Sequence, residues 1–227
     1  MSLSENLAFS PEEFSGRARL FPLPNLVVFP HVMQPLHIFE PRYRQMISDA
    51  VAADQRFGIV LLRPGWESDY FGAPAIHGLG TIGQIEQAFP LEDGRYNILV
   101  RGEVRFRVLD EVSNEPYRTA RVVAHPEQSR EAAQAYAQKS WLADLSRQYL
   151  HYLPDQVAVP EIETVELEAL ANALIMSLNI DVQEKQRLLE IDDLIARAEQ
   201  IGNELQTRIE SLQFLAPYRR KGDPGQN

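Results

Sequence analysis

The side chains that could do chemistry in this chain do not converge on a reaction. Five histidines, His31, His37, His77, His125 and His151, are scattered over 227 residues. A zinc hydrolase places two histidines four residues apart on one helix face with a glutamate between them, and no such pair occurs. Nucleotide hydrolysis by a phosphate-binding loop needs a lysine directly after a glycine at the start of a helix, and the chain has no Gly-Lys step. Gly78, Gly80 and Gly83 have the spacing of a dinucleotide fingerprint. That motif opens a helix, whereas these glycines lead into the alternating, strand-like run 81–88. Lys139 and Ser140 are adjacent, so on a helix their side chains point apart. No Gly-x-Ser-x-Gly elbow is present. The carboxylate pairs Glu12-Glu13 and Asp192-Asp193 fall at helix starts, where they complement the helix dipole. The expectation is no catalytic residue, no metal site and no cofactor.

Two features stand apart from this background. Residues 66–80 form a long irregular stretch containing Trp66, Tyr70 and Phe71, and such loops are functional or mobile in compact domains. Exposed aromatics dominate the energetics of interfaces, so these three are candidate partner contacts, against the alternative that they fold back on the core. The second feature is Glu40 with Arg42, just ahead of a helix, where the carboxylate can act on the helix dipole.

The elements that must position these residues follow from proline, glycine and periodicity. Two apolar runs, 26–29 and 36–39, are bracketed by prolines and read as two short buried strands with a tight crossing. Pro41 suits the first turn of a helix whose apolar face is Tyr43, Met46, Ile47, Ala50 and Val51. Residues 57–62 read as a strand buried on both faces. Strands follow at 81–88, at 96–100 after an Asp93-Gly94 hairpin turn, at 104–109 after a bend at Gly102, and at 119–124. From His125-Pro126 onward the pattern is helical. Ser129 caps a helix to about Tyr152, ended by Pro154. A second helix after Pro160 carries Leu167, Leu170, Ala171, Leu174, Ile175 and Leu178. Asp181 opens a short third helix with a capping box, and Asp192 caps a last one that Pro217 ends. A further helical turn is expected at Ser10-Pro11-Glu12-Glu13. The layout is α+β.

Composition narrows the function classes. The chain is 44% hydrophobic and 24% charged, as in an ordinary globular protein. No apolar run approaches the roughly 20 residues that span a bilayer. No secretory leader is evident at Met1, and there is no cysteine, so the expected location is the cytoplasm. A net charge of −10 argues against nucleic acid as the main partner, because that affinity rests on Lys and Arg at phosphates.

The segment 20–43 also resembles the opening of the substrate-binding amino-terminal domain of Lon proteases, through Phe21-Pro22-Leu23, Val27-Val28-Phe29-Pro30, Pro35-Leu36 and Phe39-Glu40-Pro41-Arg42-Tyr43. Gly58-Ile59-Val60-Leu61-Leu62, Gly80-Thr81-Ile82-Gly83-Gln84-Ile85, Asp93-Gly94-Arg95-Tyr96, Arg105-Phe106, Glu115-Pro116-Tyr117 and Glu184-Lys185-Gln186 extend the resemblance to about residue 215. It is similar above all to free-standing members of that family. The resemblance implies a PUA-like pseudo-barrel over residues 1–125, a helical bundle over 126–220 and a disordered tail at 221–227. It further implies a non-catalytic module, without a Walker A motif or Ser-Lys dyad, that recognises unfolded or specific client proteins in protein quality control. The alternatives are an RNA-binding PUA-like protein, or a small-molecule binder using the groove beside the 66–80 loop.

Overall fold

The computed structural model describes residues 16–127, 132–152 and 164–219. The turn expected at Ser10, the cap at Ser129, the stops at Pro154 and Pro160 and the tail at 221–227 lie outside them. The protein is a mixture of helix and sheet, and its chain forms two compact units. One comprises residues 1–127 with 176–190, the other 128–175 with 191–227.

The first unit contains β1 (Arg17–Leu23), β2 (Met33–Ile38), α1 (Pro41–Val51), β3 (Arg56–Leu61), β4 (Leu79–Pro90), β5 (Tyr96–Ser113), β6 (Thr119–Ala124) and α4 (Val182–Leu189). The six strands form one sheet in the order β2-β5-β4-β3-β1-β6. Because β6 pairs with β5 as well as with β1, the strands β5, β4, β3, β1 and β6 close into a ring. The β1–β3 pair is parallel and the other pairs are antiparallel. All five ring strands contribute to one apolar cluster, which includes Leu20, Val60, Ile82, Phe106 and Val122. Alternation sends their neighbours the other way: Phe21, Phe57, Ile59, Ile85 and Val100 pack with Tyr43, Met46, Ile47 and Ala50 of α1.

Strand β2 hangs on this ring through β5 alone, with Leu36 opposite Ile98. The run 26–29 is not a strand. Val27, Val28 and Phe29 are buried in irregular backbone, and the Thr81 hydroxyl donates to the Val28 carbonyl at 2.6 Å. The reason is the crossing of this segment over β5: His31 N–H donates to the Gly102 carbonyl at 2.8 Å, and Gly102 N–H to the Val32 carbonyl at 3.0 Å. Those bonds, made just after the run, fix it across β5 instead of alongside it. At Gly102 the β4–β5 register slips, so the expected bend is a bulge within one long strand.

Helix α1 starts with Pro41 in its first turn, as its fixed φ favours. Asp181 caps α4 by accepting from Gln183 N–H at 2.8 Å, and Glu184 turns to Arg187 at 2.6 Å instead of closing a capping box. The helix lies on the outer face of the sheet. Gln186 donates to the Leu79 carbonyl at 3.0 Å, and Arg105 to the Leu189 carbonyl at 2.9 Å.

The second unit contains α2 (Ala132–Leu150), α3 (Leu167–Ser177) as far as Ile175, and α5 (Leu194–Arg219). Helices α2 and α5 pack on each other through a core that includes Leu142, Leu145, Ile201, Leu205 and Ile209. Asp193, one residue later than expected, holds the start of α5 by accepting from Ile195 N–H at 3.0 Å. The backbone of α5 stays helical past Pro217 to Arg219. None of the helices among the described residues is long and apolar enough to cross a membrane.

Candidate functional site

The two features singled out in the sequence meet in space. Phe39 follows the last residue of β2 and Glu40 occupies the N-cap of α1, so strand and helix fix both. The Glu40 side chain makes no cap hydrogen bond. It turns instead to the long loop, where the Tyr70 hydroxyl donates to Glu40 Oε1 at 2.6 Å. Arg42 Nε donates to Glu40 Oε2 at 3.1 Å, and Arg42 Nη2 to the Tyr70 carbonyl at 3.3 Å. The guanidinium also lies 4.6 Å from the ring centre of Tyr43 and 5.3 Å from that of Tyr70. Both carboxylate oxygens of Glu40 are therefore engaged, and one residue pair orders the loop against the sheet body.

The loop itself begins with a short 3-10 turn, Trp66–Asp69. Trp66 is half-buried and meets Tyr70 edge to face at 5.5 Å, and Tyr70 meets Phe71 at 5.2 Å. Phe71 ends this ladder 87% exposed. Past it the chain is fixed again by buried Arg118, which donates to the Pro74 carbonyl at 2.8 Å while its other nitrogens hold Glu111. Gly80 and Gly83 lie in β4 and serve close packing, whereas Gly78, just before the strand, has open space around it. A Cβ on Gly80 would lie 2.3 Å from the Ile59 carbonyl oxygen.

Beside this cluster lies a groove of about 310 Å³. Its walls come from the segment after β1, from β2 and from the loop, with Phe21, Leu26, Leu36, Ile38, Tyr43 and Tyr70 as main apolar surfaces. Phe39, 59% exposed, stands at its rim and stacks on His37, with ring centres 6.1 Å apart. His37 Nδ1 is 2.7 Å from Asn97 Oδ1. The groove thus has mainly apolar walls, and His37, Glu40 and Tyr70 among its polar lining are already hydrogen-bonded, a surface suited to apolar side chains. Among the described residues no group of three or more His, Asp or Glu side chains could hold a metal ion.

Phe39, Glu40, Arg42, Tyr43 and Tyr70 are thus brought together, with Trp66 and Phe71 next to them and Pro41 in the turn of α1 below. Sequence reasoning did not assign Phe21, Leu26, Leu36 and Ile38 to a binding surface. Their apolar runs read as core, which Phe21 and Ile38 are, while the half-buried Leu26 and Leu36 have the same residue type.

Burial holds the Tyr43 hydroxyl well above the usual tyrosine range, with the Arg42 charge opposing and the Glu40 charge adding to the shift. Burial raises Tyr70 too, helped by its bond to Glu40. In the unfolded chain tyrosine ionises near pH ~10. Stability from Tyr43 is therefore fully present below that pH and is lost as pH rises above it, because only the unfolded state releases the proton. Urea unfolding between about pH 9 and 11 is expected to show this decline, and Tyr43→Phe to reduce the slope by up to about 1.4 kcal/mol per pH unit. An unchanged slope would mean that Tyr43 ionises freely in the fold.

The sequence profile of the ATP-dependent protease La (LON) substrate-binding domain matches residues 17–207. Among curated proteins, Lon protease of Cytophaga hutchinsonii is 27% identical over 203 residues, which is 86% of this chain and 24% of that protein. Lon protease 2 of Myxococcus xanthus is 31% identical over 199 residues, again 86% of this chain and 24% of the relative. The chain thus spans about a quarter of the length of these relatives. Among solved structures, the N-terminal domain of Mycobacterium avium complex Lon protease superposes with a TM-score of 0.62 at 19% identity, covering 84% of this chain and 98% of that one. A Lon N-terminal domain protein from Xanthomonas campestris gives 0.58 at 23% identity, covering 82% and 96%. The chain belongs to the LON substrate-binding domain family.

Proposed function

We propose that this chain is a non-catalytic module that binds polypeptide segments through the groove between β2, the start of α1 and the 66–71 loop. In this reading Phe39, Trp66, Tyr70 and Phe71 are the contact residues, and Glu40, Arg42 and Tyr43 are structural residues beside them. The observation that carries it is the juxtaposition of an apolar groove with two aromatic side chains, Phe39 and Phe71, exposed at and beside its rim. Isolated exposed aromatics are ordinary, but a cluster against a concave apolar surface marks an interaction site. Membership of a substrate-binding family supports the same reading.

We take the closed five-stranded ring as a PUA-like pseudo-barrel over residues 1–125 and residues 126–220 as a helical bundle, from which 176–190 with α4 go to the first unit. The clients are unfolded or specific proteins met in the cytoplasm during protein quality control. RNA is disfavoured as a ligand by the charge of −10.

The test is a titration of the protein with labelled α-lactalbumin, native or permanently unfolded by reduction and carboxymethylation. Binding of the unfolded form alone is expected, with little dependence on salt because the contacts are apolar. Phe39→Ala with Phe71→Ala is expected to weaken it at least about tenfold, the effect of losing interface aromatics. Equal binding of both forms, or no effect of the double substitution, would refute the proposal. Single-stranded RNA captured in a salt-sensitive way would favour the RNA reading instead.

A further inference from the structure

The polar contacts that hold the loop of residues 65–72 to the sheet body run through a single residue, by its hydroxyl and its backbone carbonyl. The loop's other polar contacts are internal or reach only its own end: the Ser68 hydroxyl donates to the Gly65 carbonyl, Gly72 N–H to the Asp69 carbonyl and Ala73 N–H to Asp69 Oδ2. Among the described residues, the polar contacts between this loop and the body run through Tyr70, to Glu40 and Arg42. The chain is pinned immediately outside it, by the Arg63 N–H to Ala75 carbonyl bond at 2.8 Å and by Arg118 on Pro74. At its start Gly65 has φ 91°, a left-handed conformation that glycine adopts without strain. A segment with fixed ends, a glycine at each end and one point of attachment can move as a unit.

Tyr70 also separates two spaces. It lines the 310 Å³ groove, and it lines a second cavity of about 10 Å³ walled by Pro22, Leu62 and Pro74. Tyr43 borders both. Tyr70 thus stands between the groove and a small pocket whose walls also include Arg42 and Arg118.

We propose that residues 65–72 are a flap latched shut by Tyr70 on Glu40 and Arg42, whose lifting joins the two spaces into one trough for an extended polypeptide. This rests on the polypeptide-binding reading and adds its regulation. The closed state binds less surface, so affinity is reduced by the fraction of molecules that are closed, and weakening the latch tightens binding. Tyr70→Phe keeps the ring and removes the hydroxyl that Glu40 holds. Gly65→Ala lies outside both cavity walls and strains the closed conformation, with open space around the added methyl.

The experiment is amide hydrogen exchange of both variants, followed by titration with carboxymethylated α-lactalbumin. Exchange across 66–71 is expected to rise roughly tenfold in Tyr70→Phe and about fivefold in Gly65→Ala, with β5 and β6 unchanged. Affinity for the unfolded probe is expected to rise by similar factors. Because Gly65 does not touch the groove, a gain there cannot come from an altered wall. Unchanged exchange in both variants overturns the latch. Faster exchange with unchanged or weaker binding in both overturns the gate while leaving the polypeptide reading intact. No binding by wild type or variants overturns that reading and the gate with it. Should one variant lose protection throughout the sheet, the other decides.

Discussion

Arg105→Ala is expected to cost about 3–5 kcal/mol and to lower the melting temperature by roughly 10 °C, as for removal of one partner of a buried ion pair. The guanidinium is 1% exposed, pairs with Glu127 at 3.1 Å and donates to the Leu189 carbonyl at 2.9 Å. Truncation would leave a nearly buried carboxylate without this cation and the last turn of α4 without its anchor. The alternative, that the loss comes from packing alone, is separable. Replacing the pair together, Arg105→Met with Glu127→Leu, is expected to recover most of the stability, because the unpaired charge then disappears. Urea unfolding of the three variants measures this. If Arg105→Ala and the double variant lose equally, the charge is not the cause.

The second large effect is expected at Gly102. An added Cβ would lie 2.1 Å from the Phe29 carbonyl oxygen and 2.8 Å from its carbon, both backbone atoms that cannot rotate away. Gly102→Ala must push the 29–32 crossing off β5 and weaken the bonds that Gly102 exchanges with His31 and Val32. Overpacking of this kind costs about 3 kcal/mol. That crossing leads directly into β2, which forms one wall of the groove, so binding of unfolded polypeptide is expected to fall along with stability. A stable Gly102→Ala variant with full binding would show that the crossing does not set the groove.

These two residues also mark where the sequence stops being legible. The alternation over residues 104–109 reads as a strand and gives no sign that Arg105 is buried. Strand and period are right, but α4 covers that face, and α4 lies some eighty residues on in the chain. Nothing local to Arg105 carries that information. At Gly102 the bend is readable from the glycine, while its cause, a peptide crossing from Phe29, is a long-range contact. The run 26–29 misleads for the same reason, since burial and proline punctuation are equally consistent with a strand or with an ordered crossing. Closure of the ring depends on β6 pairing with two strands at once, and no periodicity encodes a second partner. What was legible is what short-range physics determines: the Pro41 start of α1, the Asp181 cap, the Asp93-Gly94 turn and the span of β6. In the candidate site, Trp66, Tyr70, Phe71, Glu40 and Arg42 were readable as unusual residues. Their union was not, because the Tyr70–Glu40 bond joins positions thirty residues apart.

The central claim is that unfolded polypeptide occupies the groove between β2 and the aromatic loop. Amide exchange of the whole chain, with and without saturating carboxymethylated α-lactalbumin, tests it most directly. Slowed exchange is expected in residues 21–26, 36–43 and 66–71, with little change in α2 and α5. Protection confined to the helices of the second unit, with these three segments unaffected by the bound probe, would contradict it.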